Sequence, residues 1–311
     1  MDSESWNTIA AEITASCDHH RLFFGDAVTR LMRHMALSYE SRLGGMLKNL
    51  YGSESVREDC GHSHDALFSY LISMQWVGWG DCEFGPPLGL ADDTEIYVLG
   101  LIAYLGARLM DDAIDHHLDY KGQFQSFYGF LAGKYGEHKA AEVSSAAGSF
   151  LITTSLRHLI KMDCLDAATE VMRLYNRVFA GALCETLSAD IVVDSGLYRS
   201  VIRHKAVAYD RILHVVFFRK AEPIIRNRIL SFLSFHSTYS QWLNDLCDES
   251  DDRSRNQMSI LNISGMNREK VVQSVVDSFL KLWKENRDLH PDIQNAMAVR
   301  LNNSFNKIEQ L

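Results

Sequence analysis

DTEIYVLGLIAYLGARLMDDAIDHHL, residues 93–118, carries apolar residues at three- and four-residue spacing from Ile96 to Met110 and ends in a cluster of acids and histidines. That period belongs to an α-helix packed against neighbours, and no Asn-Gly or Asp-Gly turn with flanking alternation competes with it. Its apolar run, Ile96–Ala107, is twelve residues long, short of the roughly 20 needed to cross a bilayer. The same period recurs along the chain, so the expected fold class is all-α, with helices over 22–50, 64–78, 93–118, 121–135, 138–160, 165–188, 196–219, 222–250, 268–286 and 292–308. Punctuation agrees: Pro86-Pro87 falls in a loop, Asp92-Asp93 can cap the helix that follows, and Pro223 and Pro291 stand at first-turn positions where a missing N–H costs little.

The 311 residues are 47% hydrophobic with 4 Pro, enough to bury a large core and too regular for a disordered chain. No Pro/Gly/Ser-rich linker interrupts them, so residues 1–311 read as one all-helical domain. Lys and Arg number 31 against 40 Asp and Glu, and the net charge of −9 opposes a nucleic-acid surface, which needs a positive field. The cysteines, Cys17, Cys60, Cys82, Cys164, Cys184 and Cys247, are scattered without a C-x-x-C, as in a reducing compartment. Cys60, His62 and His64 lack a fourth metal ligand and read as a polar turn. The acidic start MDSESWNTIAAEIT resembles no targeting peptide, and the expected location is cytoplasmic.

Two acidic constellations carry chemistry. Asp111, Asp112 and Asp115 lie at the negative end of a helix dipole, where each carboxylate costs a few tenths of a kcal/mol, roughly, unless a cation compensates it. Asp111 and Asp115 share a face, with Asp112 rotated about 100° away, so the pair can hold a divalent cation through hard oxygens. Arg108, one turn earlier, can equally neutralise Asp111. In QWLNDLCDESDDR (241–253), Asn244, Asp248 and Asp252 at i, i+4 and i+8 form a second oxygen-bearing stripe. Each cluster alone also reads as a solvated helix face.

Together, 133 residues apart from Asp111 to Asn244, they resemble the facing metal sites of the class I terpenoid synthase family. That family's D-D-x-x-D motif falls on Asp111, Asp112 and Asp115, and its N-D-x-x-[ST]-x-x-x-E motif on Asn244, Asp248 and Asp252, with Asp in place of the Ser/Thr and of the final Glu. Asn244-Asp-Leu followed by Asn256-Gln-Met-Ser-Ile-Leu is similar to fungal sesquiterpene cyclases. The resemblance implies a helical bundle around an apolar pocket, monomeric or homodimeric. It implies Mg²⁺, three ions, held by those six residues, and a small-molecule partner, a prenyl diphosphate. Farnesyl diphosphate would be ionised and cyclised to a sesquiterpene with release of diphosphate, Asp111, Arg203 and Asn244 being catalytic. Arg203, with Arg199, Lys205 and Arg253, would contact the diphosphate, and Tyr97, Tyr104, Trp79 and Phe179 would line the pocket. The family's C-terminal Arg-Tyr pair has no counterpart, since Leu301 follows Arg300.

Three other readings compete. Asn244, Asp248 and Asp252 with Gln241 also resemble the second motif of squalene and phytoene synthases. Arg42-Leu-Gly-Gly-Met-Leu-Lys48 is a poor version of the Gly-Gly-Lys-Arg element of chain-elongating synthases. A non-catalytic helical binding protein on a decayed synthase fold is the third.

Overall fold

The computed structural model describes residues 11–13, 15, 25–52, 56, 58, 60–80, 94–120, 122–187, 194–250, 258–263 and 265–311. Among them are α1 (Gly25–Tyr51), α2 (Gly61–Gly80), α3 (Thr94–Ile114), α4 (Phe127–Tyr135), α5 (Glu137–Lys161), α6 (Leu165–Leu187), α7 (Ser195–His204), α8 (Ala206–Phe217), α9 (Pro223–Cys247), α10 (Arg268–Glu285) and α11 (Pro291–Gln310). A 3₁₀ turn, Ile260–Asn262, precedes α10, and a two-stranded antiparallel hairpin, β1 (Asp119–Tyr120) and β2 (Phe124–Gln125), pairs Asp119 with Gln125 and Tyr120 with Phe124. The fold is all-α. No helix of the described residues is long and apolar enough to cross a membrane.

Helix α3 is the axis of the structure. Of its 21 residues 17 are buried, a helix apolar on every side rather than on one stripe, so it has to be surrounded. It packs most extensively on α5, and further contacts come from α8, α1, α2, α4 and α6. Two glycines set the α3–α5 distance: a Cβ on Gly148 would lie 2.5 Å from the Gly106 carbonyl oxygen and 2.6 Å from Met110 Cγ. Ser155 Oγ on α5 donates to the Leu99 carbonyl at 2.5 Å and fixes the sliding register. Gly148→Ala gains about 1 kcal/mol of helix propensity, but the two backbones must part, and overpacking of this kind costs about 3 kcal/mol. The expected result is a net loss of about 2 kcal/mol, read as a lower urea midpoint at unchanged slope.

The ten expected helices recur in order as eleven among the described residues, with four boundary corrections. The helix expected to run to 118 stops at Ile114, and the segment expected to turn helical at 121 first forms the hairpin. The helix expected over 196–219 breaks into α7 and α8 at Lys205, and the one expected to reach 250 ends at Cys247. Pro223 and Pro291 do open α9 and α11. Cys60, Cys164, Cys184 and Cys247 are free thiols. Pro86-Pro87, Asp92-Asp93, Cys17 and Cys82 lie outside the described residues.

Candidate active site

The first constellation is shaped by how α3 ends. His116 adopts a left-handed conformation, φ 55°, and the His117 N–H reaches back to the Asp112 carbonyl at 2.9 Å. That is a Schellman closure with histidine where glycine is usual, and His is one of the side chains that tolerates this region best. Without a Gly or Pro signal the sequence reads as continuing helix. The closure folds His117 back over the last turn, so that ligand atoms of Asp111, Asp115 and His117 lie within 4.8 Å of one another.

Asp112 points the other way. It is 1% exposed, accepts the Tyr70 hydroxyl, and lies 2.9 Å from Arg108 Nε and 3.3 Å from His117 Nδ1. Tyr120 of the hairpin lies 5.5 Å from the Arg108 guanidinium and Phe124 packs edge-on to Tyr70, so the hairpin seals this side. Burial disfavours the charged Arg108, but Asp112 and Asp111 more than compensate and hold it protonated. Burial likewise opposes ionisation of Asp111, yet Lys205 and Arg108 keep its pKa below the usual carboxylate value. Asp115 is pushed up to about 6, by burial first and then by the charge of Asp111.

Lys205 supplies the opposing charge. Its Nζ sits 2.7 Å from Asp115, 2.8 Å from Glu185 and 3.5 Å from Asp111. It stands at the break between α7 and α8, and that break fits against α6 because Gly181 has no side chain: a Cβ there would meet Lys205 N at 2.6 Å. Glu185, one turn further along α6, therefore reaches the ammonium. Arg199 and Arg203 do not: both are exposed on α7, whose inward face is Tyr198, Val201 and Ile202. The basic residue of this segment that lines the cavity is Lys205, because the break re-aims the chain after the regular helical face has been used for packing.

In the second constellation the same division recurs. Asp245 is 3% exposed and accepts from Tyr198 Oη at 2.5 Å, the Ile260 N–H at 2.7 Å and Gln241 Nε2 at 2.9 Å. Burial pushes its pKa up to about 6 against these bonds. Asn244 and Asp248 line the cavity, and Lys307 Nζ of α11 donates to Asn244 Oδ1 at 3.1 Å. Both clusters thus have one pattern, Asp/Asn-Asp-x-x-Asp, with the outer residues on the cavity wall and the middle acid tied to a tyrosine, Asp112 to Tyr70 away from the lining and Asp245 to Tyr198 within it. The i, i+4, i+8 stripe missed Asp245, although the spacing that reveals it is present in the sequence. Asp252 and Arg253 lie outside the described residues, and α9 has ended before them.

Both clusters open on one cavity of about 740 Å³, within the roughly 300–1,000 Å³ of small-molecule sites. Tyr104 lines it, its ring 4.6 Å from that of Tyr209. Tyr97 instead packs in the core against Phe217, and Phe179 against Tyr175, neither on the cavity wall; the side chain of Trp79 lies outside the described residues. The wall between α8, α9 and α11 is polar: Asp210 accepts from Ser237 Oγ at 2.6 Å and pairs with Arg300 at 3.1 Å. Burial opposes the charge of Asp210, but Arg300 and His214 bring its pKa down to about 2, while burial lowers His236 to about 3. Arg300 and Lys307 show that α11 brings cations to the cavity without an Arg-Tyr pair. Arg42 pairs with Glu95, and neither Arg42 nor Lys48 lines the cavity.

No protein-family model matches the chain, and no curated protein matches it in sequence. Its fold is similar to that of a polyprenyl synthase from Caulobacter crescentus complexed with calcium and isoprenyl diphosphate, at TM-score 0.58 and 13% identity over 89% of this chain and 97% of that one. A geranylgeranyl pyrophosphate synthase from Corynebacterium glutamicum superposes at TM-score 0.55 and 15% identity, covering 96% of this chain and 98% of that one. A decaprenyl diphosphate synthase from Rhodobacter capsulatus gives 0.53 and 14%, covering 88% and 85%. All three are prenyl synthases, where the sequence motifs pointed to cyclases. At these identities what is shared is architecture: the chain has the all-helical fold of the isoprenyl diphosphate synthases.

Proposed function

We propose that the protein is a divalent-metal-dependent enzyme that ionises an allylic isoprenyl diphosphate in the cavity between α3 and α9. The observation that carries this reading is the pairing of the two constellations: outer residues of both, each cluster with a lysine in contact, line one cavity. The donor set suits Mg²⁺, being hard carboxylate and amide oxygens, and the Lys205 ammonium among three carboxylates is a stand-in for a cation there. Asp111 and Asp115 would hold the metal on one side, Asn244 and Asp248 on the other, with Asp252 a further proposed ligand. Bound there, Mg²⁺ supplies Lewis-acid neutralisation of the leaving diphosphate as the allylic C–O bond breaks. Lys205 and Lys307 donate hydrogen bonds to the diphosphate oxygens. Tyr104 and Tyr209 present aromatic faces to the positive carbon chain, and the buried wall keeps water from it.

The fate of the cation divides two readings. Capture by a second prenyl unit is supported by the likeness to prenyl synthases. Cyclisation of a single farnesyl chain is supported by α1, where the Arg42–Lys48 element that elongation would use for a second diphosphate does not line the cavity. Farnesyl diphosphate and Mg²⁺ are supplied to the purified chain, with and without isopentenyl diphosphate and with an NADPH arm for C30 products. The expected result is diphosphate release that EDTA abolishes. Longer diphosphates formed with isopentenyl diphosphate, or C30 products, assign prenyl joining; a C15 hydrocarbon or alcohol formed without it assigns cyclisation. No release from farnesyl, geranyl or geranylgeranyl diphosphate by folded protein overturns the proposal in favour of a binding protein.

A further inference from the structure

We infer that Lys205 is a built-in counter-ion that holds the first metal site closed, and that diphosphate opens it by drawing the lysine away. This rests on the metal-site reading above and adds an order of events to it. The Lys205 ammonium is 2.7 Å from Asp115 and 2.8 Å from Glu185, with Asp111 at 3.5 Å, so it already satisfies the oxygens a divalent cation needs. Its side chain is 18% exposed, so the pairing is screened less than a surface ion pair. A metal ion entering between Asp111 and Asp115 meets a like charge at contact distance, and the ammonium cannot stay.

The architecture gives the lysine somewhere to go. Lys205 sits at the junction of two helices rather than inside one, on a four-carbon stem, and it lines the cavity. Gly181 and Glu185, one helical turn apart on α6, hold backbone and ammonium respectively. Glu185 is thus a third carboxylate of the site that no motif predicts, and its part is to anchor the lysine when the cavity holds no anion. A diphosphate in the cavity offers Lys205 more negative charge than Glu185 does. The ammonium transfers to it, Asp111 and Asp115 are released for the metal, and metal and diphosphate each raise the other's affinity.

Mn²⁺ titrations of the full chain, followed by electron paramagnetic resonance, test this without turnover. Lys205→Met and Lys205→Gln are expected to bind Mn²⁺ roughly tenfold or more tightly than the parent in the absence of other ligands. Lys205→Arg, which keeps the charge, is expected to stay near the parent. Inorganic diphosphate should raise Mn²⁺ affinity strongly in the parent and less in both neutral variants. If a neutral variant is poorly folded without metal, Mn²⁺ should restore its melting transition; failure to do so overturns the inference. So do neutral variants that bind Mn²⁺ no better than the parent, or an Arg variant that gains as much as they do. Mn²⁺ binding by none of the proteins, with or without diphosphate, overturns the metal reading itself.

Discussion

Asp111→Asn is expected to lower kcat/KM for the allylic diphosphate on the order of 10²–10³-fold, with the melting temperature almost unchanged. Asn keeps the shape and one oxygen but removes the charge, so a hard cation loses its stronger ligand at this position. The fold depends on that charge only modestly, through its interaction with Lys205 and Arg108. Asp111 meets Arg108 and Lys205 only at 3.5 Å, while each base has a closer partner, Arg108 in Asp112 at 2.9 Å and Lys205 in Asp115 at 2.7 Å. Steady-state release of diphosphate over a range of Mg²⁺ concentrations separates the two contributions. The apparent Mg²⁺ requirement should rise and the maximal rate fall, while circular dichroism reports the same unfolding transition. An unchanged rate at saturating Mg²⁺ would remove Asp111 from the site.

The fold was legible because α3 states it twice, in period and in composition. An apolar run that continues around the whole helix can only be a central helix, and every other element then has a place around it. What escaped was the chain's behaviour where helices stop. His116 closes α3 without glycine, and Lys205 breaks a run that has neither Gly nor Pro near it to signal a break. Both breaks depend on tertiary contacts, the Tyr128 hydroxyl 2.5 Å from His116 Nδ1 in one case and the absent side chain of Gly181 in the other. Local sequence does not encode them.

The candidate site shows the same limit. Helical geometry placed Asp111 with Asp115 and Asn244 with Asp248 on common faces, and all four do line the cavity. It could not say which basic residue of Arg199, Arg203 and Lys205 faces inward, since that follows from the break. Tyr97 and Tyr104, two turns apart on one face of α3, both meet α8, at Phe217 and Tyr209, and were separable only by knowing at which end of that face the cavity lies. Glu185 and Lys307 belong to no motif, because each acts by reaching across from a neighbouring helix. Residues that meet across helices leave no spacing to read.

Asp112→Ala is expected to cost about 3–5 kcal/mol of stability. Its carboxylate is the close partner of the buried Arg108 and the acceptor for Tyr70. Removing it leaves a guanidinium whose other carboxylate contact among the described residues, Asp111, is 3.5 Å away, and a charge left so poorly compensated in a buried setting is the costly case. Urea unfolding at pH 7 measures the loss as a lower midpoint. Activity should fall as well, for an indirect reason: Arg108 is then drawn to Asp111 and competes with the metal for it. Excess Mg²⁺ should therefore recover part of the activity of folded Asp112→Ala protein, whereas it recovers none of the stability lost at Tyr70 and Arg108. Asp245→Ala is expected to follow the same rule through its three donors, Tyr198, Gln241 and the Ile260 N–H, with about 1–3 kcal/mol for each buried donor left unmet. If Asp112→Ala instead matched Asp111→Asn, with activity gone and stability intact, the middle acids would be ligands, and the division of labour between outer and middle carboxylates would be wrong.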